Sequence, residues 1–169
     1  MSKKFLMVTS NFDNWKQDFF INNMSKRNQE YADIHNFEYL EFLDVEQKYR
    51  DHPTWLKFKL ISDLLDDKTI KEGDTVTQID ADMCIVKKNI EYVTNKSFSY
   101  AIDSANTHCM GNFSLKINDW SKNLINLILD DDRYKRLQNH ITEHEYFGFK
   151  NSFVKDFREQ ASWYYLAGI

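Results

Sequence analysis

The residues best suited to chemistry in this chain are Asp80 and Asp82, separated only by Ala81. Side chains at i and i+2 of an extended segment point to one side, so both carboxylates can approach one hard cation. Magnesium or manganese takes oxygen ligands and leaves coordination positions for phosphate oxygens. A cation there acts as Lewis acid and template, and neutralises a departing diphosphate. That demand arises when a sugar leaves a nucleotide diphosphate. An Asp-x-Asp triplet alone is a weak signal. Here the apolar run Thr75 to Ile79 precedes it and Met83-Cys84-Ile85-Val86 follows. Acids framed by apolar chain on both sides are poorly explained as a solvated turn.

The elements around the triplet must place it. Phe5 to Thr9, after two lysines, predicts a first strand. Asn11 or Asp13 can cap a helix near Trp15, with Phe19, Phe20 and Met24 on its apolar face. Tyr31, Ala32 and His35 fit a further helical stretch, and Glu38 to Leu43 a second strand. Asp44 to Pro53 is polar loop. Trp55, Phe58, Ile61, Leu64 and Leu65 share a helical face that Asp66-Asp67 closes. Gly73-Asp74 makes a turn into the third strand, Thr75 to Ile79. Later strands are expected at Phe98 to Ile102 and Phe113 to Ile117. A helix from Asn118 or Asp119 carries Trp120, Leu124, Leu127 and Ile128. Helix and loop follow from Arg133, with an aromatic-rich helix within Phe153 to Leu166. The alternation predicts one α/β domain over residues 1–169, a mostly parallel sheet flanked by helices. Ligands of such sheets bind beyond the carboxyl ends of the strands. Thr9, Ser10 and Asn11 end the first strand at that edge, beside Asp80 and Asp82. Asp103, after the fourth strand, can either face it too or cap the next loop.

Composition narrows the classes. Hydrophobic residues make up 42% of 169, enough for one real core. A net charge of −4 argues against nonspecific nucleic-acid binding, which needs a basic surface. It does not oppose one nucleotide held through a metal. Cys84 and Cys109 form no CxxC pair, so neither a zinc ribbon nor a disulfide scaffold is indicated. The apolar run after Lys3-Lys4 stops at Thr9, too short for a signal peptide. No stretch approaches the roughly 18 apolar residues of a membrane span. A soluble, cytoplasmic protein is the expectation.

Several segments in succession resemble one family, the GT-A glycosyltransferases of the plant xyloglucan xylosyltransferase and fungal or plant galactosyltransferase type. Tyr31-Ala32-Asp33-Ile34-His35-Asn36-Phe37 is similar to its Tyr-Ala-x-x-His-Gly-Tyr stretch, with Asn36 where glycine is usual. Pro53-Thr54-Trp55-Leu56-Lys57 resembles Pro-x-Trp-x-Lys. Gln78-Ile79-Asp80-Ala81-Asp82 resembles its strand with an Asp-x-Asp end. Asn112 to Ser121 is similar to an Asn-x-Gly-x-Phe-x-Ile-Arg-Asn-x-x-Trp-Ser stretch, shorter and without its glycine. Glu159-Gln160-Ala161-Ser162 looks like Asp-Gln-Ser-Ala. The resemblance runs from about Lys4 to Leu166.

It implies a compact GT-A fold and metal-dependent, retaining transfer from a nucleotide sugar, usually UDP-linked, to a saccharide or other hydroxyl acceptor. By position, it implies that Asp80 meets the ribose and the Mn2+ or Mg2+ ion, and Asp82 the ion and diphosphate. Lys57 reaches the phosphates or donor sugar, and Asn112 lines the sugar pocket. Thr9, Ser10 and Asn11 lie by the nucleotide, and Tyr31 under its base. Gln160, with Glu159, stands near the anomeric carbon and acceptor; Asp103 joins them as a catalytic candidate only by its place at the sheet edge. The family's third metal ligand, a late histidine, has no counterpart after His144. Water and phosphate, or another residue, complete the site.

Other readings compete. Phosphatases of the haloacid dehalogenase class also end a strand in Asp-x-Asp, the first acid being a nucleophile. There the triplet ends the first strand, with threonine or valine two residues beyond. Here it ends the third, and Cys84-Ile85 follow. A domain that binds nucleotide sugars without turnover is the second alternative. Lys57 can also simply snorkel from an apolar surface, and Trp55 and Trp120 read as core rather than sugar platforms. His140-Ile141-Thr142-Glu143-His144 matches H-x-x-E-H. Zinc needs a third ligand, and the stretch is charged, so that match is read as chance.

Overall fold

The structure, a computed structural model, describes residues 2–10, 18, 21–43, 49–50, 53–93, 95–102, 108–143, 159, 162–163 and 166. Its strands are β1 (Lys4–Thr9), β2 (Glu38–Phe42), β3 (Thr75–Asp80), β4 (Phe98–Ile102) and β5 (His108–Lys116). Its helices are α1 (Lys26–His35), α2 (Leu56–Asp66), α3 (Asp119–Leu129) and α4 (Asp131–Glu143). A π-helical turn, Ile21–Ser25, leads into α1, and a 3-10 turn, Pro53–Trp55, into α2.

The strands form one sheet in the order β2-β1-β3-β5-β4. β1 pairs in parallel with β2 and β3, while β5 runs antiparallel to both β3 and β4. Four strands therefore share one direction and only β5 is reversed, so the expected mostly parallel α/β sheet is observed. β5 begins at His108 rather than Phe113, longer than its apolar end suggested. No helix among the described residues is long and apolar enough to cross a membrane.

Every residue of β3 is buried, as a central strand covered on both faces requires. Alternation then divides the core. Phe5, Met7, Val76, Phe113 and Leu115 meet Phe58 and Ile61 of α2 and Ile125 and Ile128 of α3. Phe58 and Phe113 stack at 5.2 Å. Leu6, Val8 and Ile79 meet Tyr31 and Ala32 of α1 on the other face. Asn36 ends α1 at φ 56, and the Phe37 N–H returns to the Ala32 carbonyl at 2.8 Å. Glycine and asparagine are the residues that tolerate that left-handed cap. Asn118 opens α3 with a capping box: its side chain accepts from the Ser121 N–H at 3.0 Å, and Ser121 Oγ accepts from the Asn118 N–H at 2.9 Å.

Two expectations need correction. β3 ends at Asp80, and Asp82 lies in a turn closed by the Met83 N–H on the Asp80 carbonyl at 2.9 Å. The pair is thus joined by a turn and not by strand geometry. Trp120 is 50% exposed, because it occupies the first turn of α3 on its outer side. The helix expected near Trp15 and most of the polar loop fall on residues 11–17, 19–20, 44–48 and 51–52, outside the described residues. So do His144 and the His140 side chain.

Candidate active site

The Lys57 side chain is 0% exposed, in the stretch of α2 that buries Leu56, Phe58, Leu60 and Ile61. Lysine is almost never fully buried unless paired. Its Nζ stands 2.8 Å from Asp80 Oδ1 and 3.3 Å from Glu159 Oε1, and donates to the Met110 carbonyl at 3.0 Å. An ammonium has three N–H donors, and these partners occupy all three. Snorkelling is therefore excluded. Burial pulls the Lys57 pKa down, but Asp80 and Glu159 outweigh it and hold the group above the usual lysine range. Asp80 is pushed up by burial and, less strongly, by Glu159 and Asp82, against the pull of Lys57. One shared ammonium does not neutralise two buried carboxylates.

Thr9 and Asp80 are register partners at the carboxyl ends of β1 and β3. Gln78 lies two residues before Asp80, on the same face of β3. Its Nε2 donates to Thr9 Oγ1 at 2.9 Å and to Asp80 Oδ1 at 3.1 Å. Gln78 Oε1 and Glu159 Oε2 are buried and have no hydrogen-bond partner among the described residues. A buried unsatisfied acceptor costs about 1–3 kcal/mol. Both atoms call for donors, which hydroxyl groups carry. Gly111 of β5 closes over the acid: a Cβ there would meet Asp80 Oδ2 at 2.8 Å and Met83 Cε at 3.0 Å.

The remaining candidates divide clearly. Ser10 is buried, its N–H on the Phe42 carbonyl at 2.9 Å, and the Thr9 carbonyl receives the Ala81 N–H at 2.9 Å. Tyr31 is fully buried between His35, Phe37 and Tyr92, and its hydroxyl accepts the Tyr92 N–H at 2.7 Å. That packing leaves its ring no free face for a base. Asn112 pairs with Ile79 on the opposite face of β3. There it lines a cavity of about 380 Å³ with Thr77, Ile79, Met83 and Tyr92. Asn11, Asp103 and Gln160 lie outside the described residues. Sequence reasoning missed Gln78 and Gly111. Strand period would have placed Gln78 beside Asp80; nothing local marks Gly111.

No three His, Cys, Asp or Glu side chains gather to hold a metal among the described residues. Asp80 Oδ1 is engaged by Lys57 and Gln78, whereas Asp82 is exposed at the rim. A magnesium-type cation is commonly held by one or two carboxylates plus substrate phosphates and water. Asp82 fits that donor set as the protein ligand, without a third side chain.

The described residues form an α/β fold, a sheet with one reversed strand and flanking helices. It is similar to the crystal structure of a glycosyltransferase involved in the glycosylation of the major capsid of PBCV-1. The TM-score is 0.51 at 12% identity, over 84% of this chain and 75% of that one. At that identity the likeness is one of fold. No family model and no curated protein matches the sequence.

Proposed function

We propose that this chain is a glycosyltransferase that moves a sugar from a nucleotide diphosphate, UDP by resemblance, to a hydroxyl acceptor. The observation that carries the reading is the buried Lys57, Asp80 and Glu159 cluster at the carboxyl edge of the sheet, with unpartnered acceptors on Glu159 and Gln78. Sugar hydroxyls supply the donors those atoms lack. A phosphate group, which mainly accepts, does not, so the cluster favours a sugar over a phosphatase substrate.

Asp82 would hold the cation, Mn2+ or Mg2+, as a ligand set of one carboxylate with water and substrate phosphate allows. When bound, the cation offsets the charge that builds on the diphosphate. The bond between the anomeric carbon and the diphosphate oxygen breaks, its electron pair leaving with the diphosphate. The acceptor oxygen bonds to that carbon, and its proton passes to the departing diphosphate oxygen. Lys57 acts here as a positioning residue: with its donors taken by Asp80, Glu159 and Met110, it fixes both carboxylates against the sugar. The retaining outcome and the role of Gln160 near the anomeric carbon rest on the family resemblance; that of Asp103 rests on its position after β4. Asn112, which the resemblance put by the sugar, lines the cavity on the other face of β3 and takes no part in this sugar site.

Calorimetric titration with UDP and GDP, with and without manganese, tests the reading. Binding of one of them only with metal is expected. Asp82→Asn should weaken it by at least about tenfold, because its sole protein ligand is gone, with the melting temperature kept. Equal binding by Asp82→Asn removes the proposed metal site. Release of phosphate from an aryl phosphate, without any nucleotide binding, would favour the phosphatase instead. Metal-dependent hydrolysis of a sugar nucleotide separates an enzyme from a mere binding domain.

A further inference from the structure

The segment from Met83 to Tyr92 has no regular secondary structure, yet its backbone is fastened by side chains of α1. Arg27 donates to the carbonyls of Ile85 and Val86, both at 2.8 Å. His35 Nε2 is 2.7 Å from the Lys88 carbonyl, and the Tyr31 hydroxyl takes the Tyr92 N–H. Asn28 does the most local work. It is 1% exposed, and both ends of its carboxamide are used. Its Oδ1 accepts the Ile85 N–H at 3.0 Å, and its Nδ2 donates to the Met83 carbonyl at 3.3 Å.

These bonds fall immediately after Asp82. On the near side, the Ala81 N–H is held by the Thr9 carbonyl, and the Met83 N–H by the Asp80 carbonyl. On the far side, the next fixed point is the Met83 carbonyl on Asn28. Asp82 is thus an exposed residue between two neighbours that are tied to the core, Ala81 by β1 and Met83 by Asn28. An exposed carboxylate on a free turn would have to be ordered each time a cation and diphosphate bind. A turn fixed at both ends avoids that loss of freedom.

We propose that Asn28 is a positioning residue for the cation and diphosphate site: from α1, it fixes the turn that presents Asp82 through the Met83 carbonyl and the Ile85 N–H. The inference rests on the assignment of Asp82 as metal ligand. Arg27 holds the same segment beyond Cys84 and provides the contrast, since loosening there leaves the Met83 anchor in place.

The test measures manganese affinity in the presence of UDP for the wild type, Asn28→Ala and Arg27→Ala. Cys84 lies between the two Asn28 anchors, so its labelling rate by a thiol reagent, in a Cys109→Ser background, reports whether the segment opens. Asn28→Ala should raise Cys84 labelling, whereas Arg27→Ala, which leaves both Asn28 anchors in place, should not. Asn28→Ala alone should weaken manganese binding, by roughly 10–100-fold, the range for residues that orient a metal ligand. If Asn28→Ala fails to fold, Asn28→Ser makes the same comparison. Unchanged Cys84 labelling in Asn28→Ala, unchanged manganese affinity there, or an equal loss in Arg27→Ala each overturns the inference while the transfer reading stands. A wild-type chain that binds no manganese with UDP brings both down together.

Discussion

Lys57 carries one positive charge into a site with two carboxylates and no exposed surface of its own. Removing one member of a buried charge group leaves the others uncompensated, typically at about 3–5 kcal/mol. Lys57→Met should therefore destabilise the chain by about that much in urea unfolding, and adding Asp80→Asn should recover part of the loss. A Lys57→Met chain as stable as wild type would mean the cluster carries no net charge stress. Asp80 gives a pH test at the same place. Its pKa is raised on folding, chiefly by burial. A raised group favours the folded state below its unfolded value, and that contribution is lost as pH rises through the folded one. The melting temperature of wild type relative to Asp80→Asn should fall as pH climbs from about 4 upward. A gap that stays constant between about pH 4 and pH 8 contradicts the shift.

At the scale of elements, the ends of secondary structure decide what the site can be. The α3 capping box predicts that Asn118→Ala costs about 1 kcal/mol, read by chemical denaturation, without touching nucleotide binding. Gly111→Ala is different. Its added methyl falls on Asp80 Oδ2, so it should disturb the carboxylate and weaken nucleotide-sugar binding. Much of this was legible in the residues. Hydrophobic period located the strands and α2 and α3, and placed Asp80 at the carboxyl edge. Asn36, which departs from the resembling pattern, proves equivalent to glycine because both accept a left-handed cap. What was not legible depended on contacts far along the chain. Lys57 reads as an ordinary helix lysine until Glu159, 102 positions away, is seen against it. The strand rule also overran its domain: it joined Asp80 and Asp82 as extended neighbours, although β3 stops between them.

Across the whole molecule, residues late in the chain return to complete both the core and the site. Glu159, Ser162, Trp163 and Leu166 are helical, so Glu159 and Trp163 are four apart on one side of a turn. Glu159 reaches Lys57, while Trp163 packs on Phe98 and Tyr100 and donates from Nε1 to His108 Nδ1 at 2.8 Å. His108 Nε2 in turn lies 3.0 Å from the Tyr100 hydroxyl. The aromatic contact with β4 and β5 is thus what holds the Glu159 carboxylate over the end of β3. Trp163→Ala should cost about 3–5 kcal/mol of stability, as expected for a buried indole. Below the melting point it should also lower affinity for a nucleotide sugar more than for the nucleotide alone, because only the sugar meets Glu159. Trp163→Phe keeps most of the packing and loses the indole bond, so it should lie between wild type and Trp163→Ala on both measures. Equal losses for nucleotide and nucleotide sugar would show that this return of the chain supports the fold without shaping the sugar site.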